Sequence, residues 1–142
     1  MRLWHKDLIS VLPKSQLSSQ WRECCGIVKN IYDNGTPNHI LVNPIMDYNY
    51  GHFLFYTYMV IDEMTRRKYK VDERKFLIYY NQLNLSKESI PSYEELFKQW
   101  HNERYLDQCY YNLQEKFDRG GINKDEWKKV EDKYKILKER LK

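Results

Sequence analysis

The chain has 142 residues, of which 24 are Lys or Arg and 20 are Asp or Glu, so its formal net charge is +4. Aromatic residues make up 15% of it, and it holds only five Gly and four Pro, a composition that excludes a disordered or collagen-like protein. No apolar run approaches the length of a membrane span, and the polar opening MRLWHKDLIS is unlike a secretory signal, so we expect a cytoplasmic protein of one domain.

Helical periodicity runs through most of the sequence, with apolar side chains recurring at intervals of three and four residues. In chain order this pattern predicts helices over residues 13–32, 51–68, 72–83, 92–119 and 123–141. The first begins at Pro13 and ends at Asp33-Asn34-Gly35, because proline suits a first helical turn and glycine a helix end. Residues 36–50 hold two prolines and no sustained period, and they are predicted as an ordered loop.

The last two helices carry distinct start signals. Ser92 and Glu95 have the spacing of a capping box, which predicts that the fourth helix begins there and runs to Gly120-Gly121. Asn123, followed by Glu126 three residues later, begins the fifth helix by the same logic.

No strand-like alternation competes with these helices. We therefore predict an all-α fold, a compact single-domain helical protein with its N-terminal segment packed across the helices. The core is expected over about residues 1–118, with an extra C-terminal helix over about residues 123–141. The apolar stripe of that helix, from Trp127 to Leu141, is expected to pack against the chain's own core.

Cysteine and histidine give no sign of a metal site in the sequence. Cys24, Cys25 and Cys109 include no C-x-x-C pair, and the four histidines share no short ligand-like spacing. We expect no metal, no cofactor, and cysteines that act as small buried hydrophobic residues. The sequence also lacks the glycine-rich motifs of nucleotide-binding loops and the G-x-S-x-G of serine hydrolases.

Positive charge is concentrated in two segments. Residues 1–30 carry five basic and two acidic side chains, and residues 64–75 carry six basic and two acidic ones. A positive field over two segments fits a polyanionic partner such as a nucleic acid, and it equally fits ordinary solvated helix ends.

The N-terminus offers a nucleophile. Because Arg2 is too bulky for removal of the first residue, Met1 is expected to keep a free α-amine. An α-amine has a pKa of about 8, so a useful fraction of it is neutral at pH 7, where lysine is almost wholly protonated. A small polar stripe on the first helix comprises Ser19, Glu23, Gly26 and Asn30. Its one carboxylate lies where a ligand backbone can approach closely, although a lone helical glutamate is usually a surface charge.

The opening of the chain resembles the phage-type pyrimidine-dimer DNA glycosylases, the endonuclease V of ultraviolet repair. The resemblance rests on Arg2, Leu8-Ile9-Ser10, Leu12, Leu17 and Trp21-Arg22-Glu23. Gly51-His52 before a run of aromatic residues matches a second family motif, and a weaker likeness extends from His101 to Leu113-Gln114-Glu115-Lys116. The strings MRLWHKDLI, WRECC and QCYYNLQEK are typical of a bacterial branch of that family.

This resemblance implies a DNA repair glycosylase with abasic-site lyase activity. The α-amine of Met1 attacks the sugar C1′ of the 5′ pyrimidine of a dimer, releases the base and leaves an imine. The carboxylate of Glu23 stabilises the cationic sugar and assists the elimination that nicks the strand. Residues expected to contact DNA are Arg2, Arg22, His52 and Lys116. The implied partner is damaged double-stranded DNA, with no membrane and no metal. The sequence leaves the oligomeric state open, with a monomer favoured.

Three features depart from the family pattern. Cys24-Cys25-Gly26 stands where a further basic residue is expected, Asn112 replaces an arginine, and Gly120-Gly121 with a charged helix replaces an aromatic, lysine-rich tail. These departures leave open whether a pyrimidine dimer, another base or only an abasic site is processed. Two other functions also stay open, a non-catalytic helical nucleic-acid-binding module and a helical interaction protein that uses its last helix.

Overall fold

The computed structural model describes residues 1–83 and 89–142, and every regular element in these ranges is helical. Its α-helices are α1 (Lys14–Asn34), α2 (Tyr50–Arg66), α3 (Arg74–Tyr80), α4 (Glu103–Asp118) and α5 (Lys124–Arg140). Short 3-10 helices span Lys6–Val11 and Asn43–Asp47. The predicted compact all-α fold is confirmed. In the part of the chain that the structure describes, no helix has the length and apolarity to cross a membrane.

The helix α1 is built on the predicted apolar stripe. Leu17, Cys24, Ile27 and Val28 are fully buried along it, where α1 packs against α2 and α3. Gly35 ends the helix in a left-handed conformation with φ of 78°, and its N–H donates to the carbonyl of Ile31. The predicted stop is confirmed, because glycine adopts this conformation without steric cost.

The segment between α1 and α2 is ordered, as predicted, and also contains the 3-10 helix Asn43–Asp47. Val42 and Ile45 are fully buried and anchor the segment to the core. Asn49 caps α2 by accepting a hydrogen bond from the N–H of Gly51 at 2.8 Å. A Cβ on Gly51 would collide with the carbonyl oxygen of Ser89, so the glycine is required by close backbone packing.

The fourth helix begins later than predicted. Ser92 does accept a hydrogen bond from the N–H of Glu95, at 3.3 Å, but the turn ends at Phe97, whose φ is 49°. The helix α4 begins only at Glu103, where the side chain of Asn102 accepts from the N–H of Tyr105 at 2.9 Å. The prediction was wrong because Phe97 leaves the helical conformation to enter the core.

Burial of Phe97 explains this interruption. Its side chain is fully buried, with its ring centroid 4.9 Å from that of Trp100 and 5.2 Å from that of Tyr48. Its N–H donates to Nδ1 of His52 at 3.1 Å, so a side chain of α2 replaces the helical carbonyl as acceptor. Tertiary packing therefore overrides a local helix signal at this position.

The helix α5 packs against α4 through stacked aromatic rings. The ring of Tyr134 lies parallel to that of Tyr110 with centroids 3.7 Å apart, and Trp127 stacks on Phe117 at 5.1 Å. The hydroxyl of Tyr134 donates to Asp107 at 2.6 Å. The predicted packing of this helix on the chain's own core is confirmed from Trp127 to Leu137, whereas Leu141 at the end of the stripe is 54% exposed.

The start of α5 also supports α1. Asn123 accepts from the N–H of Glu126 at 2.8 Å, as predicted. The carboxylate of Glu126 in turn accepts from the N–H of Lys14 at 2.7 Å. This carboxylate caps α1, whose own N-cap residue Pro13 has no side-chain donor or acceptor.

Candidate active site

The first residues of the chain are held in place by a buried glutamine of α1. Gln20 is fully buried. Its Nε2 donates to the carbonyl of Arg2 at 2.9 Å, and its Oε1 accepts from the N–H of Trp4 at 2.7 Å. Gln20 thus uses both ends of its amide to hold the backbone on either side of Leu3.

Two tyrosines complete this clamp. Tyr105 of α4 donates to the carbonyl of Leu3 at 2.6 Å. The hydroxyl of Tyr56, in the middle of α2, lies 2.6 Å from the carbonyl of Trp4 and 2.9 Å from Oε1 of Gln20, and its single proton serves these two acceptors. Side chains from three helices therefore fix the backbone of residues 2–4.

The same clamp reaches Glu23. Nε2 of Gln20 also donates to Oε2 of Glu23, at 3.1 Å. Partial burial raises the pKa of the Glu23 carboxyl above its usual value, and the nearby N-terminal ammonium of Met1 and the backbone of Arg2 offset part of this rise. Met1 is 46% exposed. The clamp therefore places the backbone of residues 2–4 beside Glu23, and the exposed residue Met1 directly precedes this segment.

The two arginines predicted to contact DNA lie beside this pair. Arg22 is exposed on α1 and donates to Oγ of Ser19 at 3.0 Å. Arg2 is half-buried, with its guanidinium 5.5 Å from the ring centroid of Trp4. Arg22 directly precedes Glu23 in the chain and its charge lowers the pKa of that carboxyl, whereas the guanidinium of Arg2 lies towards Trp4 and Tyr105.

His52 and Lys116 stand apart from this pair. Nδ1 of His52 is occupied by the N–H of Phe97, the two rings stack with centroids 5.6 Å apart, and burial lowers the pKa of the imidazole. Lys116 is an exposed residue in the last turn of α4. Within residues 1–83 and 89–142, neither side chain forms a hydrogen bond or an ion pair with Met1 or Glu23.

Residues 36–42 border the far end of the polar stripe. Asn30 lies two turns beyond Glu23 on the same face of α1, and its Nδ2 donates to the carbonyl of Pro37 at 3.3 Å. His39 lies on this segment, and its Nδ1 accepts from the N–H of Leu41 at 3.2 Å. Between Glu23 and Asn30, a Cβ added to Gly26 would meet nothing within 4 Å, so this face of α1 is open there.

Gln20 and His39 are two residues of this region that the sequence did not predict as site residues. Gln20 had a visible signal, because it is a polar residue on the apolar stripe of α1, one turn before Cys24 and one turn after Leu17. His39 had no such signal in the sequence, because its position beside α1 depends on the fold of residues 36–42.

The cysteines are structural in this arrangement. Cys24 and Cys109 are buried, as predicted, whereas Cys25 is only half-buried. Burial raises the pKa of Cys24 and raises that of Cys25 to about 11, so these thiols are poor nucleophiles at neutral pH. Among the described residues, no group of three or more histidine, cysteine or acidic side chains is placed to hold a metal ion.

Two buried histidines support the N-terminal segment from behind. Nδ1 of His101 accepts from the N–H of Lys6 at 2.9 Å, and Nε2 of His5 lies 3.0 Å from the carbonyl of His101. Nδ1 of His5 accepts from the N–H of Asp7 at 3.1 Å. These bonds require neutral rings, and burial is the main cause that lowers the pKa of both histidines.

We expect acid to destabilise the protein through these histidines. Between the ordinary histidine pKa and the lower pKa of the folded state, the unfolded chain binds more protons than the folded chain. The free energy of unfolding therefore falls as pH drops below about 6.5, by up to about 1.4 kcal/mol per pH unit and group. Urea unfolding between pH 7.5 and 5 measures this slope. His101→Asn, which keeps an acceptor for Lys6, should show a shallower slope, and an unchanged slope would refute the assignment.

A sequence profile of the family described as pyrimidine dimer DNA glycosylase matches residues 1–77, more than half of the chain. The chain belongs to this family. The part of the glycosylase that matches contains Met1, Arg2, Arg22, Glu23 and His52, together with Gln20 and residues 36–42. Lys116 and the helices α4 and α5 lie outside it. No curated protein and no solved structure matches this glycosylase-family chain.

Proposed function

We propose that this protein is a DNA glycosylase with abasic-site lyase activity that acts on damaged double-stranded DNA, with the α-amine of Met1 as nucleophile. The observation that carries this proposal is the buried clamp of Gln20, which holds residues 2–4 and the Glu23 carboxylate in one hydrogen-bonded unit. Such an arrangement gives a terminal amine the fixed position that catalysis requires of a nucleophile.

The proposed reaction begins at the sugar. The lone pair of the Met1 nitrogen attacks C1′ while the bond from C1′ to the base breaks, and its electron pair leaves with the base, which takes up a proton. The nitrogen then loses a proton, and O4′ takes up a proton as the C1′–O4′ bond opens, which leaves a C4′ hydroxyl and a protonated imine between Met1 and C1′. Removal of a C2′ proton then breaks the C3′–O bond and expels the phosphate, which nicks the strand.

Glu23 serves both stages of this reaction. Its carboxylate stabilises the positive charge that develops on the sugar, and it assists removal of the C2′ proton. Partial burial strengthens these electrostatic effects because little water screens them. The chemistry needs neither a metal nor a cofactor, since the nucleophile belongs to the chain.

DNA binding in this proposal relies on the cations around the cleft. Arg2 and Arg22 contact the phosphates that flank the target nucleotide, and Lys116 adds a more distant phosphate contact. His52 has only Nε2 left for DNA, because Nδ1 holds Phe97. The core over about residues 1–118 carries the chemistry as a monomer, and α5 stabilises α4.

Borohydride trapping of untagged protein tests the proposal, because hydride reduces an imine to a stable secondary amine. Three matched duplexes are compared, with a pyrimidine dimer, an abasic site or no damage, after intact mass has verified a free Met1. We expect an adduct that maps to Met1 on the dimer duplex. An adduct on abasic DNA alone would retain the lyase and replace the substrate. If no adduct forms on any duplex, the proposed enzymatic activity is rejected, and the protein is better described as a non-catalytic nucleic-acid-binding module.

A further inference from the structure

We infer that the turn of residues 38–41 inserts the side chain of Ile40 into the DNA base stack beside the nucleotide that is extruded. This inference rests on the proposed function, and it identifies a part of the DNA interface that opens the duplex. The inference is supported by three properties of the turn: the exposure of Ile40, the rigidity of the backbone and the position of the turn on α1.

Ile40 is held out into solvent. Its side chain is 83% exposed, a larger fraction than that of any other large hydrophobic residue in the described ranges, and Leu41 beside it is 43% exposed. Single exposed apolar residues are common on protein surfaces and need no function. Exposure alone therefore does not distinguish Ile40 from Ile78 on α3, which is 62% exposed.

The turn that carries Ile40 is rigid. Asn38 adopts a left-handed conformation with φ of 55°. The N–H of His39 donates to Oδ1 of Asn43 at 3.0 Å, and the carbonyl of His39 accepts from the N–H groups of Val42 and Asn43 at 3.0 and 2.8 Å. Nδ1 of His39 accepts from the N–H of Leu41 at 3.2 Å. These bonds close a compact turn on both sides of Ile40, and fully buried Val42 anchors it.

The position of the turn separates Ile40 from other exposed apolar residues. The hydrogen bond from Asn30 to the carbonyl of Pro37 fixes the turn on the face of α1 that carries Glu23, about 10 Å along the helix. Ile40 is thus an exposed apolar side chain on a turn that is fixed to the face of α1 that carries Glu23.

A rigid apolar wedge suits this place. Extrusion of a nucleotide leaves a gap in the stack, and apolar side chains inserted between base steps offset part of the lost stacking. A branched aliphatic side chain has no hydrogen-bonding groups to satisfy in that gap, so it fits any neighbouring sequence. Rigidity matters because a mobile turn would lose the gain as conformational entropy.

The test compares Ile40→Ala with Ile78→Ala, a matched change at an exposed isoleucine of α3. Single-turnover trapping is measured on the dimer duplex, which must be opened, and on a single-stranded abasic oligonucleotide, which has no stack to open. We expect Ile40→Ala to slow trapping on the duplex roughly tenfold or more and to leave the single strand within about twofold. Ile78→Ala should match the unsubstituted protein on both.

The results of this experiment distinguish failure of the wedge from failure of the proposed glycosylase activity. If the unsubstituted protein forms adducts and Ile40→Ala equals Ile78→Ala on the duplex, the wedge is wrong and the enzyme stands. An equal loss on both substrates would also reject the wedge, since it indicates damage to the catalytic groups. If the unsubstituted protein forms no adduct on either substrate, the proposed function fails and the wedge falls with it.

Discussion

Replacement of Glu23 by Gln is expected to slow strand cleavage roughly a hundred- to thousandfold while DNA affinity changes only a few-fold. Glutamine keeps the shape of the side chain and a contact for Gln20 but removes the negative charge that would stabilise the cationic sugar. It also removes the acceptor for the C2′ proton. Single-turnover cleavage on the trapped substrate measures the first effect, and fluorescence anisotropy with labelled duplex measures the second.

A control variant and the pH dependence of cleavage test whether the effect is specific to the Glu23 carboxylate. Glu139→Gln changes an exposed carboxylate near the end of α5 and should leave cleavage unchanged. Because burial raises the pKa of Glu23, the loss of activity at low pH should include a step above the pKa of an ordinary glutamic acid, in addition to the loss from protonation of the Met1 amine, and Glu23→Gln should lack that step. Full cleavage by Glu23→Gln would remove this residue from the mechanism.

Replacement of Gln20 by Leu is expected to reduce both stability and activity. Leucine has a similar size but leaves the N–H of Trp4 and the carbonyl of Arg2 buried without their partner. We expect the free energy of unfolding to fall by roughly 2–4 kcal/mol, since each unsatisfied buried group costs about 1–3 kcal/mol. At a temperature where the variant is still folded, cleavage should fall at least about tenfold because the amine and Glu23 lose their common support. Urea unfolding and single-turnover cleavage measure the two effects.

A second variant distinguishes a positioning role of Gln20 from a purely structural one. Gln20→Glu keeps an oxygen to accept from Trp4 and Tyr56 but replaces the donor to Glu23 by a second carboxyl oxygen. Two adjacent carboxylates disfavour ionisation, so the acid limb of the cleavage profile should move to higher pH. Gln108→Leu, at an exposed position of α4, is the matched control. An unchanged pH profile in Gln20→Glu would leave Gln20 with a structural role alone.

Most of the helical framework could be predicted from the sequence because its signals are local. The stripe of α1, the glycine at its end and the cap of α5 involve residues within a few positions of one another. The secondary structure differs from the prediction where contacts with residues distant in the sequence determine the backbone conformation. Phe97 abandons the helix begun at Ser92 because its ring gains a buried site among Tyr48, Trp100 and His52.

The sequence by itself determined the all-α class, the membership of the pyrimidine dimer DNA glycosylase family and the choice of Met1 and Glu23 as catalytic candidates. Periodicity, helix caps and short motifs involve residues that are close together in the sequence. They can therefore be recognised without knowledge of the tertiary structure. Only the tertiary structure decided which groups hold the backbone of residues 2–4 beside Glu23. Gln20, Tyr56 and Tyr105 come from three different helices, and they meet at residues 2–4 because buried backbone groups there require partners.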